Sequence, residues 1–357
     1  MVLGGGVMGA ATLYYLTELG CERPLLLERD TLASGSTGHC AGGVRTLFSD
    51  ELNVRIGREA IRRLQELGDG LDLRLWGYLF LLTREEDVAS FEAALDVQHL
   101  FGIESRLLSA ADASQLVPQL AVDDVVAAAF DPTAGYVTPE LVVQEYARRA
   151  TARGARIEQS CAATRILVED GRVTGVETAR GAVEADRVIL TAGVWSRELA
   201  ATAGVELPVE REARWMFFTE DTPSFPERVP LTIDFTSGFY FHREGAALVF
   251  GGREQTLEDL APIAARRVPA LEEVGVRSSW WGWYELSPDH NAIVGAVDEP
   301  EGLLYATGFS GHGFQQGPVI GEHLAELALG LEPTFDLGAF SLDRFAAGEA
   351  RLERNVV

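Results

Sequence analysis

The start of the chain alternates short apolar runs with a glycine-rich turn. Residues 1–3 are apolar and precede Gly4 to Gly9, and a mainly apolar stretch from Ala10 to Gly20 leads to a second short run, Pro24 to Glu28. Short runs around a stretch of helical length are typical of the βαβ unit of a parallel sheet. The first predicted strand is shorter than the usual length of about five or six residues, so we expect the natural chain to begin further upstream.

Two later regions repeat this alternation of predicted strands, turns and helices. Residues 141–153 carry an amphipathic pattern that predicts a helix. Near the end of the chain, a strand, a glycine turn at 308–313 and a helix from Pro318 to Leu329 are predicted. The strands predicted in the two regions cover 156–159, 164–168, 173–178, 187–191 and 302–306.

Two stretches lack this alternation and carry short β-rich pieces. They extend from about 73 to 130 and from about 205 to 285, and they include Trp215 to Thr219, Gly238 to His242 and Ala247 to Gly251. We interpret them as one antiparallel sheet built from two insertions into a nucleotide-binding domain. The prediction is a nucleotide-binding domain at 1–72, 131–204 and 286–335, a second domain at 73–130 and 205–285, and a C-terminal tail at 336–357.

Composition excludes several classes of protein. A chain of 357 residues with 47% apolar residues can fold around a large core. The net charge of -24 argues against nucleic acid as a partner, because phosphate binding needs clustered cations. No apolar run reaches the roughly 18 residues of a membrane span, and the N-terminus lacks a basic stretch before an apolar segment. We therefore expect a cytoplasmic protein without a membrane span.

Reactive side chains narrow the chemistry further. The chain contains no lysine, so a Schiff base on a lysine is impossible. Cys21, Cys40 and Cys161 are odd in number and follow no metal-ligand spacing. Neither a disulfide framework nor a metal site is predicted.

Gly4, Gly6 and Gly9 form the pattern GxGxxG between a predicted strand and a predicted helix. Glycine permits a tight turn there and lets a pyrophosphate approach the helix N-terminus. The pattern alone is weak because glycine turns are common. Glu28 ends the next strand about 20 residues further on, where a carboxylate accepts hydrogen bonds from a ribose. The combination predicts a bound dinucleotide, with a plain tight turn as the alternative.

Further segments carry a resemblance to one family. They are Glu28-Arg29, Ser34 to Thr37 with Gly42-Gly43, Ala192 to Ser196, Ser287 to Asp289 and Gly308 to Phe314. Together with the first glycine turn, they resemble the D-amino-acid oxidase and sarcosine oxidase/dimethylglycine dehydrogenase family of FAD-dependent oxidoreductases. The resemblance implies FAD as the cofactor and an α/β fold, with a glutathione-reductase-type, Rossmann-like FAD-binding domain and an interleaved antiparallel-sheet substrate domain.

The resemblance also implies which residues contact FAD. The turn 308–313 would pass the flavin ring, and the helix from Pro318 would point its N-terminus at the ring. A helix N-terminus stabilises the negative charge of reduced flavin. The implied cofactor residues are Gly4, Gly6, Val7, Met8, Gly9, Glu28, Arg29, Ser34, Ser36, Thr37, His39, Gly42, Gly43, Ala163, Ala192, Gly193, Trp195, Gly311, His312, Gly313, Phe314 and Gln315.

His39 raises the question of a covalent cofactor. In the dimethylglycine and sarcosine dehydrogenase branch, a histidine in a similar Ser-Thr-x-His segment carries FAD covalently, and residues 36–39 have that spacing. This chain has Gly38 where that branch has a bulky aromatic residue. A covalent bond at His39 is open but not favoured, and a non-covalent contact or a plain loop histidine is expected instead. The late cysteine that carries FAD in monomeric sarcosine oxidases has no counterpart after Cys161.

The substrate residues implied by the family begin with a carboxylate clamp. Its oxidases hold the substrate carboxylate with an arginine in the early loop, matched by Arg45, and with a lysine that is replaced here by Gln315. Because Gln315 is neutral, either carboxylate binding is weaker, another arginine such as Arg253 substitutes, or the substrate differs.

Aromatic and imidazole side chains are the other candidates. Tyr240 and His242 alternate on a predicted strand and share one face, so both could line the cavity. With Tyr284 they would form an aromatic cage for an amine, although aromatic residues in strands are more often core. His312 lies in the late glycine turn, where it contacts flavin or substrate or serves as a structural hydrogen-bonding residue.

The predicted function is oxidation of the C–N bond of a small amine or amino acid of the sarcosine, dimethylglycine, proline or D-amino-acid type, by hydride transfer to flavin N5. Oxygen or an electron-carrier protein is the expected acceptor. Residues 308–316 and the tail also resemble a mitochondrial FAD-dependent oxidoreductase domain protein linked to respiratory complex I assembly. A flavin-containing assembly or binding protein with little turnover is therefore the alternative.

Overall fold

Strands and helices alternate along much of the chain. The computed structural model describes residues 1–356. The strands are β1 (Val2–Leu3), β2 (Leu25–Leu27), β3 (Gly43–Val44), β4 (Tyr78–Leu82), β5 (Arg106–Leu108), β6 (Ala127–Asp131), β7 (Gly135–Tyr136), β8 (Arg156–Glu158), β9 (Ala163–Glu169), β10 (Arg172–Thr178), β11 (Gly181–Glu184), β12 (Val188–Leu190), β13 (Glu210–Thr219), β14 (Leu231–Asp234), β15 (Tyr240–Glu244), β16 (Ala247–Gly251), β17 (Val276–Leu286), β18 (Ile293–Ala296) and β19 (Leu303–Thr307). The helices are α1 (Val7–Glu18), α2 (Glu51–Glu66), α3 (Glu85–Leu100), α4 (Ala110–Leu116), α5 (Pro139–Ala152), α6 (Ser196–Ala201), α7 (Leu257–Arg267), α8 (Gly313–Leu329) and α9 (Asp343–Ala347).

Six strands form a largely parallel sheet in the order β18-β19-β12-β1-β2-β8. Neighbouring strands from β19 to β8 run parallel, while β18 at one edge is antiparallel to β19. The central strand β1 is buried along its length, as expected for a sheet covered by helices on both faces. All six strands lie within 1–72, 131–204 and 286–335.

Eight further strands form a second sheet in the order β17-β13-β16-β15-β14-β4-β6-β5. They lie within 73–130 and 205–285, except for the last residues of β6 and β17. The predicted α/β fold, with a Rossmann-like domain and an interleaved second sheet, is confirmed. That sheet is not wholly antiparallel, because β14 runs parallel to β4 where the two insertions meet. The domain boundaries themselves stay a prediction.

The first insertion contains more helix than expected, since α3 and α4 lie within residues 73–130. Three acidic residues stand in the first turn of α3, where the helix dipole favours negative charge. Phe91, Ala94, Leu95 and Gln98 are buried at a helical spacing of three and four residues. The β-rich interpretation of 73–130 was wrong at this point.

Helix α8 begins at Gly313, several residues before its predicted start at Pro318. Proline is favoured in the first turn of a helix, so it suggests a helix start without marking the first residue. Here it lies inside the helix, where its missing N–H leaves the Phe314 carbonyl without the usual partner. The N-terminus of α8 therefore lies within the glycine turn itself.

Helix α8 packs very closely on α1. A Cβ atom added at Gly317 would lie 2.7 Å from a methyl group of Val7, and one added at Gly321 would lie 2.6 Å from the Cβ of Ala11. Only residues without a side chain permit this approach. The contact places the first turns of the two helices side by side.

The predicted tail folds onto the rest of the protein. Arg344 in α9 donates through Nε and Nη2, each at 2.9 Å, to the two carboxylate oxygens of buried Asp289. Burial raises the pKa of Asp289, but the ion pair with Arg344 outweighs it, so that the pKa lies below its ordinary value. Asp289 of the predicted Ser287-to-Asp289 motif therefore anchors the tail. Residue 357 lies outside the described residues.

Residues 1–356 contain neither a membrane-spanning helix nor a cluster of metal-binding side chains. Their helices are all too short or too polar to cross a membrane. Cys21, Cys40 and Cys161 are free thiols, and no group of three or more His, Cys, Asp or Glu side chains in this range is arranged to hold a metal ion.

We expect Gly321→Ala to destabilise the protein. The helix propensity of alanine alone would favour the change by ~1 kcal/mol. The added Cβ would nevertheless lie 2.8 Å from the Thr12 amide nitrogen, and we expect this overpacking to produce a net loss of ~1–3 kcal/mol. The free energy of unfolding in urea measures the effect. Gly70→Ala is the control, since its Cβ meets nothing within 4 Å, and equal effects of the two substitutions would refute the close contact.

Candidate functional site

A long cleft of about 470 Å³ runs past the carboxyl ends of β1, β2 and β12. It is bordered by the first glycine turn, the loop 34–40, residues 282–285 of β17 and the start of α8. Open α/β sheets bind ligands at this edge. The predicted cofactor residues that line it are Gly4, Gly6, Val7, Met8, Glu28, Arg29, Ser34, Ser36, Thr37, His39, Ala163, Ala192, Gly193, Trp195, Gly311, Gly313 and Phe314.

The first glycine turn leaves a helix N-terminus open toward the cleft. Helix α1 starts after Gly6 without a side-chain cap and without an acidic residue in its first turn. Apart from the Val7 amide, which bonds to the Thr37 hydroxyl, its first N–H groups have no capping side chain, and together with the helix dipole they favour an anion. Gly9 does not line the cleft as predicted. A Cβ there would lie 1.9 Å from the Gly4 carbonyl oxygen, so its role is close packing of α1 against β1.

Glu28 is held rigidly at the end of β2. Its Oε2 accepts a hydrogen bond from the Gly5 amide at 2.6 Å, and its Oε1 accepts one from the Asp30 amide at 2.7 Å. A carboxylate oxygen can accept more than one hydrogen bond, so Glu28 still offers acceptors to the cleft. The guanidinium of Arg29 lies 4.1 Å from the centre of the Trp195 ring. Both residues line the long cleft together with Glu28.

The 3₁₀ turn Ser36–His39 is clamped between α1 and β17. The Thr37 hydroxyl accepts from the Val7 amide at 3.1 Å, and the Ser36 hydroxyl donates to the Trp283 carbonyl at 2.6 Å. His39 Nδ1 lies 2.8 Å from the Gly35 carbonyl, which can only accept, so Nδ1 carries the proton.

A smaller cavity of about 80 Å³ meets the long cleft at residues shared by both: Cys40, Arg214, Tyr284, Gly311 and Phe314. The predicted residues that line it are Gly42, Gly43, Arg45, Tyr240, Tyr284, His312 and Gln315. The sequence analysis missed Tyr78 and Arg214, which line it too. Arg214 lies among half-buried positions on β13, and only the folded sheet shows that it lines the cavity.

Arg45 is buried and held by main-chain acceptors. Its Nη1 donates to the Leu47 carbonyl at 2.6 Å and its Nη2 to the Asn355 carbonyl at 2.7 Å. The guanidinium also lies 3.9 Å from the centre of the Phe48 ring. A guanidinium has five N–H donors, so further donors remain for a ligand in the cavity.

Gln315 does not take over the role of a carboxylate-binding lysine. Its side-chain amide is bonded to the main chain of Arg45, accepting from the nitrogen at 2.9 Å and donating to the oxygen at 3.3 Å. It therefore positions Arg45. The expected substitute, Arg253, is exposed and lines neither cavity, so that prediction is wrong.

The two histidines expected near the cavity differ in their placement. His312 lines it, and burial, followed by the charge of Arg45, lowers the pKa of its imidazole to about 3. Within residues 1–356, no hydrogen bond of good geometry reaches either of its ring nitrogens. His242 does not line the cavity, because its side chain packs with its ring 4.2 Å from that of Tyr136. His242 is buried and belongs to the core, the alternative expected for ring side chains on strands.

Comparison with known proteins decides the family. A sequence model of the family described as FAD dependent oxidoreductase matches residues 1–327. The chain belongs to this family. The resemblance deduced from the motifs is thereby confirmed.

Relatives and solved structures of FAD-dependent oxidoreductases cover almost the whole chain. Mitochondrial sarcosine dehydrogenase of Homo sapiens is 30% identical over 378 residues, which cover 97% of this chain and 41% of that protein. FAD-dependent oxidoreductase domain-containing protein 1 of Xenopus laevis is 30% identical over 423 residues, which cover 100% and 84%. The crystal structure of L-proline dehydrogenase from P. horikoshii superposes with a TM-score of 0.92 at 28% identity and covers 98% of both chains. The chain spans less than half the length of sarcosine dehydrogenase.

The cleft of this FAD-dependent oxidoreductase suits its family's cofactor. FAD carries a pyrophosphate, a ribose diol and a flavin ring that becomes negatively charged on reduction. The open N-terminus of α1, the carboxylate of Glu28 and the uncapped N-terminus of α8 lie along one cleft, and neither helix has an acidic residue in its first turn. The helix ends complement the negative charges of FAD, and the Glu28 carboxylate can accept hydrogen bonds from its ribose diol.

A carboxyl group that the sequence analysis missed also faces the cleft. Glu285 in β17 lines it, and its Oε2 accepts from the Thr307 hydroxyl at 2.8 Å. Burial raises the pKa of Glu285 to about 7, although hydrogen bonds from Thr307 and from the Gly308 and Phe309 amides act in the opposite direction. This FAD-dependent oxidoreductase thus holds a carboxyl group beside the cofactor cleft that changes charge near neutral pH.

We expect Glu285→Gln to stabilise the FAD-free protein as the pH rises. Between the ordinary pKa of 4.5 and about 7, the unfolded chain loses the Glu285 proton while the folded chain keeps it, so the stability of the wild type falls with pH and then levels off. The glutamine variant lacks this loss, and its advantage should grow by ~1–3 kcal/mol across the window. Urea unfolding at about pH 5 and about pH 8 measures it, with exposed Glu206→Gln as the control. A constant difference between Glu285→Gln and wild type would contradict the burial of this carboxyl.

Proposed function

We propose that this FAD-dependent oxidoreductase oxidises the C–N bond of a small amino acid or N-alkyl amino acid. The observation that carries the proposal is the small cavity that opens onto the cofactor cleft at Gly311, Phe314 and Tyr284. A substrate bound there lies next to the start of α8, where the flavin ring is proposed to lie. FAD supplies the two-electron oxidation, and the protein supplies binding, orientation and electrostatics.

We assign cofactor roles to the residues of the long cleft. The first turn of α1 with Gly4 and Gly6 binds the pyrophosphate, and Glu28 accepts hydrogen bonds from the ribose. The N-terminus of α8, at Gly313 and Phe314, stabilises negative charge on the flavin. Support comes from the open helix ends and from the fixed position of the Glu28 carboxylate.

The charge of the small cavity favours a substrate that carries a carboxylate. Arg45 and Arg214 line it together with three phenols, and no Asp or Glu of residues 1–356 does so. Burial raises the pKa of Tyr78 to about 12 and raises those of Tyr240 and Tyr284, so the phenols stay neutral. Arg214 is paired with Glu212, but Glu212 does not line the cavity, so a cationic amine without a carboxylate would meet two guanidinium groups there. Sarcosine and proline, named in two relatives, are both secondary amines with a carboxylate.

The amine is proposed to bind in its neutral form. The neutral imidazole of His312 has two ring nitrogens without partners in the cavity wall and can bond to the substrate without adding charge. None of the residues lining the small cavity is a strong base, so the protein orients the substrate and does not remove a proton from carbon.

An anaerobic screen of the purified, FAD-loaded protein tests the function. We expect sarcosine, dimethylglycine, proline or a small D-amino acid to bleach the flavin, because these compounds pair a carboxylate with an oxidisable amine. Pyrrolidine and N-methylpropylamine, of similar size but without a carboxylate, are expected to leave the colour unchanged. Admission of air then reports on oxygen as acceptor by the speed of recolouring.

The same screen separates the alternative. Tight FAD retention without bleaching by any of these compounds would instead favour an assembly or binding protein with little turnover. FAD-dependent oxidoreductase domain-containing protein 1, which this chain matches along its whole length, is the relative relevant to that outcome.

We further propose that FAD is held without a covalent bond to His39. A Cβ at Gly38 would lie 2.3 Å from the Ala33 carbonyl oxygen, so this loop has no room for the aromatic residue of the covalent branch. Acid precipitation of the holoprotein is expected to leave the flavin in the supernatant. Flavin that remains with the pellet in wild type but not in His39→Ala would establish the covalent bond instead.

A further inference from the structure

The small cavity has a wall that comes from the end of the described chain. Residues Arg351–Val356, here called the C-terminal segment, run between the start of α2 and the loop that follows β17. Val356 lines the cavity together with Arg45 and His312. The sequence analysis assigned none of these residues to a site.

The segment is fixed by a buried carboxylate at its centre. Glu353 is 0% exposed, and its Oε1 accepts from the Ser49 amide at 2.9 Å, the Ser49 hydroxyl at 2.7 Å and the Asn355 amide at 3.0 Å. Its Oε2 accepts from the Asp50 amide at 3.1 Å and from Asn53 Nδ2 at 3.0 Å. Burial raises the pKa of Glu353, but these hydrogen bonds outweigh it and lower the pKa, so the carboxylate is charged.

The other side of the segment is bonded to the loop after β17. The Glu353 amide donates to the Asp289 carbonyl at 3.1 Å, and the Arg351 amide donates to the Asp289 carboxylate at 3.3 Å. Asp289 is itself held by Arg344. Both edges of the segment are therefore tied to rigid parts of the fold.

The segment reaches Arg45 through Asn355. The Asn355 carbonyl accepts from Arg45 Nη2 at 2.7 Å, and Asn355 Nδ2 donates to the Leu47 carbonyl at 3.3 Å. Leu47 in turn accepts from Arg45 Nη1 at 2.6 Å. Two of the guanidinium N–H groups thus face the segment and its partner loop, which fixes the direction of the remaining donors.

We infer that the C-terminal segment is part of the substrate site: Val356 limits the length of the substrate, and Glu353 is a positioning residue that orients Arg45 toward the substrate carboxylate. This inference rests on the proposed function, because it assumes that the small cavity binds a carboxylate. It assigns substrate selection to residues outside both predicted domains.

Simple carboxylates test the inference without any turnover. Acetate, propionate and butyrate are titrated into the FAD-loaded protein, and the dissociation constants are read from the change in the flavin absorbance spectrum. In wild type we expect affinity to fall with chain length, because Val356 closes a cavity of about 80 Å³. Val356→Gly should improve the affinity for butyrate relative to acetate by ~10-fold, the effect of about one methylene in a pocket.

Glu353→Gln tests the positioning role. We expect acetate to bind ~10-fold more weakly, as for loss of a well-oriented hydrogen bond to a charged group, while acetamide binding and the FAD affinity stay unchanged. A merely structural role would weaken acetamide and acetate equally. Leu352→Ala is the matched control, because this side chain of the same segment is 57% exposed.

The outcomes separate the inference from the proposed function. Carboxylate binding that changes as described, in a protein whose flavin no amine reduces, would support the inference and contradict the proposed oxidation. Wild-type affinities in both Val356→Gly and Glu353→Gln would overturn the inference even if amines are oxidised. Absence of any acetate binding to the wild type would overturn it too. Val356→Gly removes only a partly buried side chain, so it keeps the test valid if Glu353→Gln fails to fold.

Discussion

The close approach of α8 to α1 is the constraint on which the rest of the site depends. Gly317 and Gly321 leave no side chain between the helices, so Val7 and Ala11 come within contact distance of the α8 backbone. The N-termini of both helices then open onto one cleft, although the first turns are separated by about 300 residues of sequence. A cofactor with negative charge at two distant places finds two positive helix ends at a fixed separation.

The charged side chains that line the small cavity are opposite in sign to the net charge of the chain. The chain carries a net charge of -24, yet the small cavity is lined by two arginines and no carboxylate of the described residues. The carboxylates close to the two arginines are already paired: Glu212 with Arg214, and Glu353 with the start of α2. Carboxylates that accept several hydrogen bonds present little free negative charge to a ligand. An acidic protein can therefore keep an anion-binding site.

Much of the cofactor cleft was predictable because its signals are local. The strand, glycine turn and helix at either end of the chain are contiguous in sequence, and their residues need no distant partner to be recognised. Errors arose where the position of a side chain depends on remote packing. Arg253 follows a strand near the cavity but is exposed, and His242 packs on Tyr136 although Tyr240 on the same strand lines the cavity. Arg214 and Glu285 went unnoticed because only the pairing of β13 with β17 places Arg214 at the cavity and Glu285 at the long cleft.

The α/β architecture and the family were readable from the sequence, since glycine turns, short apolar strands and amphipathic helices follow from neighbouring residues. The surroundings of the small cavity became visible only in the folded protein. There Gln315 is bonded to the main chain of Arg45, and Asn355 holds the guanidinium from more than 300 positions away. Such contacts have no periodic signature, because they join segments whose proximity arises only when both sheets and the C-terminal segment have packed together.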